Sequence, residues 1–416
     1  MLPFFASKNK LFYGWIVVIT FFIVGTALFG IQFTFGIFFK SIESEFVLTR
    51  AFTSSINSVS MLIMGFIAFG GGLAIDRYGP RIIILLMGIF TCLSLLLTSQ
   101  TSSPWQLFLT YSLLLSLGIG PIFVVITSTV SRWFDKRRGL ALGIAGAGSG
   151  LGTVIMAPLS AYLIVRFGWR ISYIILGLIA CLVTIPLSRL LKKDPHEIGT
   201  IPDGINLQTI DEIDEDRLRP VDLSPSQVFG TRSFWFLVFV WVFLSSSGFF
   251  IFVHFVPHIT DMGFSASEAA IGLGLIGLSS FTGRILVGAI SDRIGRKLTA
   301  VICTLIQFGN MLWLIWAHDL WTLYLFAIVF GFAFNGLTTA ISALLGDIFG
   351  IHSIGSIMGM LEIGFGIGAA IGPFIAGIIY DASGSYYIAF LIFAGALLLK
   401  AFLITLIRQE KELGSS

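Results

Sequence analysis

What most constrains this chain is a succession of apolar stretches, most of about 20 or more residues, separated by short polar turns. A bilayer's hydrocarbon core is about 30 Å thick, and a helix of about 20 apolar residues crosses it. Backbone N–H and C=O groups find no water there, so such stretches must be helical. Twelve spans are expected. The first six run roughly 12–39, 52–75, 81–100, 105–131, 138–165 and 169–191. The second six run roughly 233–257, 268–290, 297–317, 320–346, 354–380 and 384–407. The chain is 56% hydrophobic and 11% charged, where a soluble domain has about 25% charged residues. The expected fold is therefore all-α and integral to a membrane. Residues 1–191 and 233–416 would form two six-helix bundles, joined by a hydrophilic loop at 192–232.

The net charge of +3 carries no nucleic-acid footprint, because the basic residues are spread over short loops. One set of loops holds Lys8, Lys10, Arg77, Arg81, Lys136, Arg137, Arg138, Lys192, Lys193, Arg293, Arg296, Lys297 and Lys411. The other set holds Lys40, Arg50, Arg166 and Arg170. The positive-inside rule then puts both termini and the central loop in the cytoplasm, with the chain in the inner (plasma) membrane. The apolar run after Lys10 is too long for a cleaved signal and reads as the first membrane helix. Cys92, Cys181 and Cys303 lie inside apolar runs, which suggests neither disulfides nor a metal site.

The two halves repeat. Gly72–Arg81, GLAIDRYGPR, matches Gly288–Lys297, GAISDRIGRK, at an offset of 216 residues. The same offset pairs Gly120 with Gly336, Gly139 with Gly355, Gly143 with Gly359, Gly150 with Gly366, Gly152 with Gly368 and Gly168 with Gly384. One offset held through five spans predicts two bundles in the same orientation, with a substrate site between them near the midplane.

Against this scaffold one charge stands alone. Arg284 lies eight residues before Asp292, about 12 Å along a helix. A cation at membrane depth costs roughly 2.5–3.5 kcal/mol on insertion scales, and such residues face a cavity or a partner. The repeat places Ala68 opposite it, and Ser280, one turn away, is no acid. An anion site is the reading this favours over a packing role.

Ser280, Asn335 and Gln32 are polar groups inside spans that would orient a substrate, with interhelical hydrogen bonding as the plainer alternative. Phe33 and Phe123 would supply apolar walls. Glu362 and His254 are candidates for carrying a proton, and His258 is a weaker one. Asp76–Arg77 and Asp292–Arg293, at equivalent turns, are candidates for a gating latch. The glycine series from Gly139 to Gly152 and its twin after Gly355 would let helices approach closely. Gly272, Gly274 and Gly277 spell G-x-G-x-x-G, but no strand precedes them, so no dinucleotide site is expected.

The repeat and its two D-R-x-G turns resemble the major facilitator superfamily. More narrowly, Tyr13–Gly14–Trp15, the stretch RWFDKRRGLALGIAGAGSG from Arg132 to Gly150, and the residues Gly372–Pro373, Ala376–Gly377, Tyr380–Asp381 and Gly384–Ser385–Tyr386 resemble its monocarboxylate transporter branch. The resemblance implies transport of small carboxylates such as lactate or pyruvate, often with a proton, and Arg284 matches the eighth-helix arginine that binds the carboxylate. Two positions depart from mammalian members. Phe33 stands where they carry a lysine, and Ser280 where they carry an aspartate.

The expected function is secondary transport of a small monocarboxylate by alternating access, with a proton and without cofactor or metal. A monomer in the lipid bilayer is expected to suffice, with no nucleic-acid partner. A dicarboxylate would need a second cation, and none is read well inside the membrane. An oxalate–formate type exchanger and a non-transporting anion sensor are the alternatives. No Walker loop, H-E-x-x-H or G-x-S-x-G motif points to an enzyme.

Overall fold

The computed structural model describes residues 12–134, 138–200, 225–349 and 354–407, with the side chains of Asp76 and Asp292 among the few inside helices that fall outside the described set. The helices are α1 Tyr13–Phe33, α2 Phe35–Phe46, α3 Arg50–Ser99, α4 Pro104–Leu107, α5 Leu114–Ile119, α6 Ile122–Trp133 and α7 Arg138–Ser188. After them come α8 Pro225–Phe229, α9 Arg232–Asp261, α10 Ala266–Ile294, α11 Arg296–Trp313, α12 Leu320–Phe349, α13 Ile354–Ser383 and α14 Tyr387–Leu406. A π-helical turn, Phe108–Leu113, joins α4 to α5. The described residues contain no strand.

Among the described residues, ten stretches are long and apolar enough to cross a membrane. One of them, Leu140–Ser188, has 49 residues, more than twice what a single crossing needs. It folds back at Gly168, whose φ of 77° suits a residue without a Cβ. That turn lies beside the α2 end, where Phe46 meets Trp169. The chain then returns, so that Leu190 O accepts from Tyr13 Oη near the start of α1. Gly79, φ 73°, reverses α3 in the same way. With α11 these turns restore the expected crossings. The first expected span breaks at Thr34, whose hydroxyl bonds Ile31 O, and continues through α2 to Phe46.

Local chemistry marks several helix starts. Thr49 caps α3 at Phe52 N, Thr231 caps α9 at Phe234 N, and Ser265 with Glu268 forms a capping box on α10. The buried apolar side chains gather in two clusters, one around α1–α7 and one around α9–α14. Three seams join them: α2 on α9, α3 on α13 and α7 on α10.

The seams are tight at one face, and the α7–α10 seam is looser toward the other. On the face of the α1–α2 end, a Cβ on Gly36 would lie 2.6 Å from Phe252 O, and one on Gly377 2.8 Å from Ala51 Cα. Toward the face bearing the Gly79 and Gly295 turns, a Cβ on Gly143 of α7 would meet nothing within 4 Å, while one on Gly359 of α13 would still lie 3.8 Å from Phe69 Cδ2 of α3. We call this second side the basic face, after its arginines and lysines.

Candidate functional site

Arg284 stands on α10 ten residues before its end, about 15 Å from the basic face. It shares a stripe with Gly277 and Phe281, both packed on Gly150 of α7. Its Nε and Nη2 donate to Asn335 Oδ1 of α12 at 3.0 and 2.9 Å. Its Nη1 donates to Gly146 O of α7 at 3.1 Å. A guanidinium has five N–H donors, so two remain without a protein partner among the described residues. Asn335 holds the side edge formed by Nε and Nη2. The outer end, where Nη1 and Nη2 run parallel, is the fork that grips a carboxylate through two charge-assisted bonds. Arg284 is half-buried, and no described carboxylate pairs with it. The absence of a Cβ on Gly146 makes this approach possible, since one there would sit 2.9 Å from Nη1.

The other sequence candidates fall in different places. The Ser280 hydroxyl donates to Gly331 O between α10 and α12, so it is engaged in helix pairing. Asn335 serves Arg284 with its carboxamide oxygen. Gln32 Nε2 faces the thioethers of Met61 and Met64 on α3, at 3.5 and 3.4 Å. Phe33 stacks on Phe252 of α9, with centroids 4.6 Å apart, forming an apolar wall across the α2–α9 seam. Phe123 is half-buried on α6. Glu362 lies on α13 eight residues after its start, with Trp241 of α9 beside its carboxyl.

A second intramembrane cation corrects the expectation that Arg284 has none for company. Lys400 of α14 is fully buried, and its Nζ donates to Gln307 Oε1 of α11 at 2.8 Å. It lies between two helices of one cluster, away from the seams, because α14 packs on α11, α9 and α13 rather than on the α1–α7 group.

The proposed latch residues and the observed polar closure are on opposite sides. Arg77 and Arg293 are exposed at the basic face, and the Asp76 and Asp292 side chains lie outside the described set. At the opposite face Arg50, at the start of α3, is buried between the two groups of helices. It bonds Tyr386 Oη at 2.6 Å, pairs with Asp261 at 2.7 Å and Glu43 at 3.4 Å, and lies 3.8 Å over the Tyr380 ring. Lys40 also reaches Asp261, at 2.5 Å. Asp381, at the end of α13, accepts from the Arg50 and Ala51 backbone N–H groups at 2.9 and 2.8 Å. Helix α13 thus caps α3 across the seam.

His254 belongs to this network. Its Nε2 lies 2.9 Å from Pro373 O and 3.0 Å from Ser54 Oγ, and its Nδ1 lies 2.8 Å from Tyr386 Oη. The proline carbonyl can only accept, so Nε2 carries the proton and Nδ1 accepts from the tyrosine. A polar relay, Arg50 to Tyr386 to His254 to Pro373 O, closes the face. His258 lies one turn along α9, with its ring against Tyr386 and Phe390.

The major facilitator superfamily model matches residues 11–309 and 259–415. Monocarboxylate transporter 13 of Bos taurus is 29% identical over 405 residues, covering 93% of this chain and 87% of the relative. Monocarboxylate transporter 2 of Homo sapiens is 26% identical over 406 residues, covering 90% and 81%. An MFS-type transporter of Gibberella moniliformis is 31% identical over 362 residues, covering 84% and 80%. Among solved structures, a bacterial homologue of the human lysosomal transporter Spinster, inward-facing and occupied, is similar with a TM-score of 0.73. That match has 16% identity and covers 96% of this chain and 97% of the other, which speaks to the fold.

Proposed function

Because this chain belongs to the major facilitator superfamily, we propose that it is a secondary transporter carrying small monocarboxylates of the lactate or pyruvate kind with a proton, by alternating access. The observation that carries this is Arg284 itself: a guanidinium at membrane depth, on a seam, with two of its five N–H donors left over by Asn335 and Gly146 and no described acid to neutralise it. The carboxylate takes the remaining donors, and Asn335 and Gly146 fix the guanidinium's direction before the substrate arrives. Gln32, Phe33 and Phe123 line the passage around the substrate's short apolar body. Relatives named monocarboxylate transporters support the substrate class.

In this reading the bundles 1–191 and 233–416 rock about the site, linked by residues 192–232. The basic face is cytoplasmic, both termini lie there, and the protein works as a monomer in the plasma membrane. The looser α7–α10 seam at the basic face then corresponds to access from inside.

The oxalate–formate type exchanger is less favoured, since a dicarboxylate needs a second cation at the seam and Lys400 is held elsewhere by Gln307. Radiolabelled lactate uptake into proteoliposomes tests the proposal, with acetate, pyruvate and oxalate as competitors. Arg284→Ala should abolish uptake, and monocarboxylates should compete better than oxalate. Full uptake by Arg284→Ala would overturn it.

A further inference from the structure

The α7–α10 and α3–α13 seams repeat one another contact for contact. A Cβ on Gly150 would lie 2.8 Å from Gly277 O and 3.3 Å from Phe281 Cβ. One on Gly366 would lie 2.9 Å from Met61 O and 3.2 Å from Gly65 Cα. Each residue of the first set stands 216 positions from its counterpart in the second. One turn further along, the same relation pairs Gly146 with Glu362 and Arg284 with Ala68. The guanidinium on one seam and the carboxyl on the other therefore occupy corresponding levels, on opposite sides of the axis relating the halves.

Glu362 also shares the stripe of α13 that carries Gly366 and Gly377, both packed on α3. Gly65 of α3 lies against its backbone, where a Cβ would come within 3.1 Å of Glu362 O. From α9 comes Trp241, buried, with an Nε1–H that has no hydrogen-bond partner. That donor stands beside the Glu362 carboxyl. The lysine of α14 is turned to Gln307, and no described ion pair involves Glu362. With no described cation to hold it ionised, a carboxyl at this seam can take up and release a proton, and the indole N–H can donate to it when it is ionised.

Resting on the transport reading above, we propose that Glu362 carries the coupled proton, and that coupling arises from charge balance between the two seams. The empty site holds Arg284⁺ and Glu362⁻, net zero. The loaded site holds Arg284⁺ with the substrate carboxylate and Glu362 as COOH, again net zero. Substrate alone leaves one negative charge and a proton alone leaves one positive charge. Closing a low-dielectric passage over a net charge is costly. Only the empty and fully loaded carriers therefore change sides readily. The step is a protonation, Glu362–COO⁻ plus H⁺ giving Glu362–COOH, reversed on release.

The test uses purified full-length protein in proteoliposomes with an inside-alkaline gradient of one pH unit. Wild type should accumulate lactate about tenfold, the limit for one proton per substrate. Glu362→Gln, fixed in the neutral form, should keep lactate counterflow but lose accumulation, and its counterflow should no longer vary with pH. Glu362→Asp should restore accumulation. Tenfold accumulation by Glu362→Gln would overturn the proposal while leaving the Arg284 reading intact. Arg284→Ala should instead lose both counterflow and accumulation. Loss of counterflow by a Glu362→Gln variant that lactate still stabilises in detergent would also overturn the proposal, because the loaded variant is net neutral and should change sides. Loss of that stabilisation would overturn it too, because Glu362 would then belong to the substrate site.

Discussion

Replacing Asp381 with Ala should unfasten the closed face without disturbing either bundle. Its carboxylate accepts from the first two backbone N–H groups of α3, at 2.9 and 2.8 Å, across a seam. When the halves part at this face, both bonds are lost and water takes their place. The substitution therefore weakens the closed state alone. Removing a capping side chain costs about 0.5–2 kcal/mol, and the exposure of Asp381 argues against the upper end. Neighbouring contacts of Arg50 with Asp261 and Tyr386 survive the change. A loss of about 1 kcal/mol moves a two-state population about fivefold toward the open form. Spin labels on Ser44 of α2 and Thr260 of α9, in a background lacking the three native cysteines, would report the distance distribution by pulsed electron resonance. The ratio of long to short distances should rise about fivefold. An unchanged distribution in a correctly folded variant would refute the idea that α13 completes α3.

Other substitutions follow from the same geometry. Asn335→Asp should place a carboxylate on the side edge of Arg284, neutralise it, and raise the KM for lactate at least tenfold while leaving the fold's melting temperature within a few degrees, measured by uptake and thermal scans. Gly146→Ala brings a Cβ within 2.9 Å of Nη1; it should displace the guanidinium and weaken lactate-dependent stabilisation, whereas Gly143→Ala, in open space, should not. Gly150→Ala and Gly366→Ala each push a methyl into a carbonyl across a seam. Each should cost about 1–3 kcal/mol, read as a lowered melting temperature of similar size in the two variants. His254→Phe removes the acceptor for Tyr386 Oη and should increase labelling of cysteines introduced at the closed face.

The membrane crossings were legible because lipid permits so few backbone solutions, and the repeat was legible because glycines at seams leave no freedom of spacing. Arg284 announced itself as a charge with no excuse in sequence. Its holders did not. Asn335 lies 51 residues away and Gly146 138 away, and nothing local joins them. The closed-face network was hidden for a different reason. Arg50 and Asp381 sit at span ends, where charges are ordinary, and 331 residues separate them. Sequence logic therefore looked for a latch at the repeated D-R turns, where recurrence was visible, and overlooked a polar cluster that has no twin. Lys400 escaped notice because it lies near a span end, and its burial depends on a glutamine in another helix.

That lysine bears on how the chain is made. A helix such as α14, emerging alone into lipid, would carry an ammonium whose insertion is disfavoured by up to roughly 2.5–3.5 kcal/mol, the cost at a helix centre. Biosynthetic order supplies the remedy, because α11 has already been threaded into the bilayer and presents Gln307 before Lys400 arrives. The last hairpin is thus received by a prepared neighbour, and a nascent chain with Gln307→Leu should leave its final segment outside the membrane more often than one with Lys400→Leu.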